Sequence, residues 1–256
     1  MDQLTYAYVQ IVDAPTPPDT SHLITEDDTP VDNLFSEKQQ RLLTRSLYSS
    51  WAGPGEERPF LAAANVGVYF SVRRPAIVPD VFLSLDVQMP ESWWETAGRS
   101  YLVWEMGKPP DVAIEIVSNT KGGETGPKLQ EYARASVAYY VIFDPDLRVQ
   151  AQMLIVYRLE GGAYVQIEEQ WLAQVQLGLT LWEGEFEGRR TVWLRWCDWE
   201  GQLILTGQER AERERTRTEQ ERARADQERM RADQERMRAE RLAAQLRAAG
   251  IEPELT

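Results

Sequence analysis

Between Asn33 and Trp51, apolar side chains recur at Phe35, Leu42, Leu43, Leu47 and Trp51, the spacing of one helical face. Asn33 is placed to cap this helix, and Ser36 with Gln39 offers a weak capping box. Strand-like runs follow at Val66 to Val72, Asp80 to Val87, Tyr101 to Glu105 and Val112 to Val117. Gly123 to Pro127 reads as a turn, and Pro127 suits the first turn of a helix reaching about Ala135. Tyr139 to Phe143 is an apolar run of strand length, broken by Asp144-Pro145-Asp146. Val149 to Leu159 and Ala163 to Ile167 form a hairpin pattern around Gly161-Gly162, with further strands at Leu179 to Phe186 and Thr191 to Trp196. The alternation predicts an α/β domain over residues 31–206. Residues 1–30, rich in Pro, Thr and Asp, read as an irregular arm with a short strand near Tyr6 to Ile11.

Residues 207–256 differ in kind. They consist almost wholly of Arg, Glu, Gln, Ala, Asp and Met, and Arg224-Ala-Asp-Gln-Glu-Arg-Met recurs at Arg231. High helix propensity and Glu–Arg pairs three residues apart, from Glu212/Arg215 to Glu235/Arg238, predict a long charged helix. Met230, Ala232 and Met237 are spaced two and five apart, which breaks a coiled-coil seam; only Ala239, Leu242, Leu246 and Ala249 form one. A lone solvated helix and an oligomeric coiled coil both stay open, and a homo-oligomer such as a dimer is an expectation.

Composition narrows the chemistry. One cysteine, Cys197, and one histidine, His22, exclude a structural zinc site within one chain. A catalytic triad would have to use His22, in a Pro/Thr/Asp-rich stretch. A lone cysteine fits a reducing cytoplasm, and no apolar run is long enough to span a membrane. The start of the chain, Met1 to Ala14, does not read as a signal peptide. Net charge is −13, and the tail from Gly207 to Ile251, with twelve Arg against ten acids, is near neutral, so the body carries most of the negative charge. Any DNA contact therefore calls for a local basic patch or bridging metal ions.

Within the strand patterns, two acids stand out. Asp80 opens a strand whose Val81, Leu83, Leu85 and Val87 share the other face; it reads as a turn residue after Pro79 or as a ligand. Glu115 sits between Ile114 and Ile116 in a run apolar enough to be buried on both faces. A carboxylate there is costly unless it is paired or bound to a cation, so an edge position, a salt bridge or a metal site would account for it. Asp111 lies roughly 13 Å along the same strand, too far to share one ion with Glu115. Lys128, in the first turn of its helix, opposes the helix dipole; it is either a surface lysine or a cation with a use near a carboxylate or phosphate. Lys121 is a second candidate. Acid, acid and lysine suit metal-assisted phosphodiester hydrolysis, with magnesium held by oxygen ligands.

Val78-Pro-Asp80-Val, Pro110-Asp-Val-Ala-Ile-Glu115-Ile-Val-Ser-Asn-Thr, Lys128-Leu-Gln-Glu-Tyr132-Ala and Val137-Ala-Tyr-Tyr-Val-Ile-Phe-Asp144-Pro145 resemble, in order and spacing, the Uma family of restriction-endonuclease-like proteins. Gly178-Leu-Thr-Leu-Trp, Trp193-Leu-Arg-Trp-Cys and the charged tail are similar to a subgroup of that family. The resemblance implies the PD-(D/E)XK fold: a restriction-endonuclease-like mixed β-sheet core flanked by helices, here followed by the long charged helix. It implies Asp80 and Glu115 as the metal-binding acids for magnesium or manganese, with the Ile116 carbonyl as a further ligand. The lysine position of the motif falls on Val117, and the resemblance points to Lys128 as its substitute. Glu37, on the first helix, is the supporting acid it implies.

The expected function is a metal-dependent DNA endonuclease. Two alternatives stand beside it. One is a catalytically inactive nuclease-fold module that binds or assembles through its C-terminal helix. The other is a helix-mediated scaffold in which the acids are incidental.

Overall fold

The structure is a computed structural model that describes residues 33–55, 58–71, 74–89, 100–118 and 123–249. The arm at 1–30, with His22 and the strand expected near Tyr6, lies outside the described residues, as does Lys121.

Helix α1 (Leu34–Ser50) begins where expected. The Asn33 side chain accepts a hydrogen bond from the Ser36 N–H at 2.9 Å. The capping box expected of Ser36 and Gln39 does not form. Gln39 is buried instead, and its amide bridges the carbonyl and N–H of Leu194 at 2.8 and 3.0 Å. Leu42, Leu43 and Leu47 are buried on α1's inner face, at about 1.5–3 kcal/mol each.

Strands β1 (Phe60–Ala64), β2 (Val68–Tyr69), β3 (Val81–Leu85) and β4 (Tyr101–Leu102) follow, then a single helical turn, α2 (Val103–Met106). The strand expected at Val66 to Val72 is thus two residues long. The one expected at Tyr101 to Glu105 stops at Leu102, where the chain coils into α2 and ends on left-handed Gly107. After β5 (Val112–Ile116), helix α3 (Pro127–Arg134) and β6 (Tyr139–Phe143), the chain forms the hairpin β7 (Leu154–Glu160) and β8 (Ala163–Ile167). The hairpin starts later than the apolar pattern suggested. The Asp144 carboxylate accepts the N–H groups of Arg148, Val149 and Gln150, which holds that stretch as a loop. Then come β9 (Trp171–Leu172), β10 (Leu177–Phe186), β11 (Arg189–Cys197) and helix α4 (Gly207–Ala248).

Six strands form the main sheet in the order β1-β3-β5-β6-β7-β8, with β5 and β6 parallel and the other pairs antiparallel. β9, β10 and β11 form a second sheet, and β2 and β4 a two-stranded parallel one. This is the mixed restriction-endonuclease-like architecture expected. One core joins Leu43 and Leu47 of α1 to Val81, Ile114, Ile116, Val141 and Phe143 on one face of the main sheet, and to Leu194 and Trp196 of β11. On the opposite face, Ala113, Val117, Tyr140 and Ile142 pack with Tyr132 of α3. The central strands are therefore buried on both faces, and alternation along β5 turns Glu115 with Ala113 and Val117 toward α3.

No residue of α4 is buried, and at 42 residues the helix is roughly 63 Å long. Its base is rooted in the domain. Thr206 and Glu209 form a capping box, and Glu209 takes two 2.8 Å bonds from Arg195, itself 1% exposed. The Arg195 guanidinium also lies 4.8 Å from the centre of the Trp182 ring. Farther along, the ion pairs run Arg217–Glu221 and Arg236–Glu240, with Arg first and four residues apart. The Glu-first pairs three apart do not form among the described residues. Both spacings share a helix face, and exposed pairs are worth too little to fix one choice. No helix among the described residues is long and apolar enough to cross a membrane.

Candidate active site

In β5 the sequence Val-Ala-Ile-Glu-Ile is buried throughout, and Glu115 is 1% exposed. Its side chain emerges toward α3, where Lys128 and Tyr132 lie four residues apart on one helix face. Lys128 Nζ donates to Glu115 Oε2 at 2.7 Å, and the Tyr132 hydroxyl donates to Oε1 at 2.7 Å. Pro127 opens α3, so Lys128 is displayed from its first turn, directly over the strand. Val117, where the resemblance implied a lysine, is 2% exposed and packs in the apolar cluster with Tyr132.

Asp80 immediately precedes β3. The antiparallel register pairs Val81 with Ile114, and one residue further sets Asp80 opposite Glu115. The ladder ends at that point, and the Asp80 carboxylate closes it. Its Oδ2 accepts the Ile116 N–H at 2.6 Å, and Gln40 Nε2 from α1 donates to Oδ1 at 3.1 Å. Asn65 reaches the same corner through Gln40, donating to its Oε1 at 3.0 Å.

Burial pushes the Glu115 carboxyl above its ordinary value. The Lys128 charge and the two hydrogen bonds pull it back only in part, and nearby Glu124 adds to the rise. For Lys128, burial works to lower the pKa. The charge and bond of Glu115, with Asp80 and Glu124, outweigh it and hold the ammonium above its ordinary value. Burial first, and then Glu115, raise the Tyr132 hydroxyl well above the ordinary range, so it stays a donor.

The structure therefore brings Asp80, Glu115, Ile116 and Lys128 together. It does not bring Glu37 to this group. That residue lies half-exposed on α1 and pairs with Arg41 at 2.9 Å. Gln40, on the next turn, is the α1 residue that reaches Asp80. Asp111 is at the far end of β5, accepting from Leu85 N–H and Lys108 Nζ at 2.8 and 2.6 Å. The sequence reading assigned no role to Gln40 or Tyr132. Tyr132's signals were its place in the Lys128-Leu-Gln-Glu-Tyr132-Ala motif and its spacing of four residues from Lys128.

The donors suit a hard cation: two carboxylates and a backbone carbonyl, all oxygen. Each Glu115 oxygen, accepting one bond from Lys128 or Tyr132, has a second acceptor lone pair. Among the described residues no group of three or more His, Cys, Asp and Glu side chains gathers to hold an ion. An ion here would thus rest on two acids, the Ile116 carbonyl and water.

Residues 26–187 match the model of the Uma2 family, described as "Putative restriction endonuclease". No curated protein matches the chain.

Proposed function

We propose, from the premise that the chain belongs to the Uma2 restriction-endonuclease family, that it is a metal-dependent endonuclease hydrolysing phosphodiester bonds in DNA. Asp80, Glu115 and the Ile116 carbonyl hold magnesium or manganese in this reading. The observation that carries it is the 2.7 Å bond from Lys128 Nζ to Glu115 Oε2, which supplies from a helix the cation that Val117 cannot. When bound, the ion polarises the phosphodiester and lowers the pKa of attached water.

The protein's own groups have distinct tasks. Lys128 is held charged, so it donates to a phosphate oxygen and stabilises developing negative charge rather than abstracting a proton. Tyr132 fixes the rotation of the Glu115 carboxylate by holding Oε1. Gln40 and the Ile116 N–H orient Asp80. With a net charge of −13, attraction to DNA has to be local. Exposed Arg134, on the same helix as Lys128, shares a cleft of about 240 Å³ with Arg74 and Glu131, and two guanidinium groups there could serve a nucleic-acid backbone.

Supercoiled plasmid nicking tests the reading. The wild-type protein should nick in magnesium or manganese, and Glu115→Gln should not. Equal nicking by both would refute it.

A further inference from the structure

We propose that α4 is a pairing surface for a second copy of this chain, forming a parallel, in-register two-stranded coil. Rooted by Arg195–Glu209 and by Arg210 on the Ser49 carbonyl, the rest of α4 buries nothing, and Met230 and Met237 are 60% and 63% exposed. A seven-residue unit of Arg, Ala or Thr, acid, then mostly Gln, Glu and Arg repeats along it. Met230 and Met237 alone are too far apart for an apolar seam, but Gln227, Met230, Gln234 and Met237 follow one another at the seam spacings of three, four and three, with amides at the intervening positions.

The charges beside that seam choose the partner and its direction. Arg224, Arg231 and Arg238 follow on one side, and Asp226, Asp233 and Glu240 on the other. In a parallel pair, an acid on this side meets the residue five positions later on the partner, so Asp226 faces Arg231 of the partner subunit, Asp233 faces Arg238 of the partner subunit, and Glu240 faces an uncharged glutamine. Both charged pairs are opposite in sign. Turning one helix round would set acid against acid and arginine against arginine. A second copy in the same direction is therefore the occupant this face fits. The recurring glutamines cost such a seam stability, so the charged flanks rather than the seam choose the register. Leu242 and Leu246 lie on another side of the helix, near its end.

The pairing rests on α4 alone and does not depend on the reading of the active site. Because α4 is rooted at its N-terminal end, a parallel pair carries both domains at one end of the rod. If the nuclease reading also holds, that arrangement offers two sites to the two strands of a duplex.

Light scattering on the full chain across a dilution series should give twice the 29.4 kDa chain mass. Arg231→Glu/Arg238→Glu should give a single chain mass, and so should Asp226→Arg/Asp233→Arg. An equimolar mixture of the two should recover the dimer, a result that loss of helix in either variant could not produce. Ala223→Cys should cross-link to itself on oxidation, as only the parallel register allows. A wild-type monomer at every concentration, no recovery in the mixture, or no cross-link in a confirmed dimer would each overturn the proposal.

Discussion

Asp80 stands opposite Glu115 across β3 and β5, at the point where the ladder between those strands ends. Neighbouring strands place directly opposed residues about 4.5–5.5 Å apart at the backbone. Two acids so placed repel unless cations intervene, and Lys128 supplies one on the Glu115 side.

Lys128→Met should therefore destabilise the protein in a pH-dependent way. Lys128's raised pKa means its contribution is complete below its ordinary value near 10.5 and fades as pH rises through the folded value. Glu115's raised pKa has the opposite consequence for an acid: keeping it ionised costs stability as pH climbs past 4.5 through the folded value. Without Lys128 that cost grows. The variant should lose about 3–5 kcal/mol at mildly alkaline pH and less as Glu115 takes up a proton. Thermal melts across pH check this, and a deficit independent of pH would contradict it.

Tyr132→Phe removes one hydroxyl and leaves Glu115 Oε1 without its donor. A loss of about 1–3 kcal/mol is expected. Nicking should fall while magnesium still raises the melting temperature, since the carboxylate remains but is less well oriented. An unchanged nicking rate would remove Tyr132 from the positioning role.

What the sequence revealed follows from burial. Glu115 was conspicuous because a central strand covered on both faces leaves no polar neighbours to hide an acid. For the same reason, Tyr139 to Phe143 was bounded correctly. β1 was missed because Phe-Leu-Ala-Ala-Ala at an edge has neither β-branched residues nor alternation. Glu37 and Gln40 lie one helical turn apart on α1, and periodicity cannot say which of them meets the end of β3. The reach of Lys128 to Glu115 depends on how α3 crosses the sheet. Spacing does not encode that crossing; the helix-dipole argument left Lys128 open between a surface role and a carboxylate or phosphate, and the family resemblance pointed to this site.

Glu209→Ala should loosen the root of α4. It removes the capping partner of Thr206 and leaves the buried Arg195 guanidinium without a carboxylate, held by the Ile204 carbonyl and the Trp182 ring alone. Glu209 is about a third exposed, so the expected cost is about 2–4 kcal/mol, below the usual range for a fully buried pair. Burial alone would raise Glu209's pKa, but the Arg195 bond and those at Thr206 hold it below its ordinary value. Its contribution is thus present above pH 4.5 and lost as pH falls through the folded value. The gap between wild type and variant in urea melts should narrow in acid; a constant gap would argue against this pairing.

Calorimetric titration with manganese bears most directly on Asp80 and Glu115 acting as one site. Wild-type protein should bind one ion per chain, and Asp80→Asn and Glu115→Gln should each weaken it at least about tenfold, no less than the loss seen when only an outer-shell partner of a ligand is removed. Asp80→Asn keeps an oxygen for the Ile116 N–H, so the strand end survives and the charge alone is tested. Manganese binding at wild-type strength in either variant would contradict a shared ion.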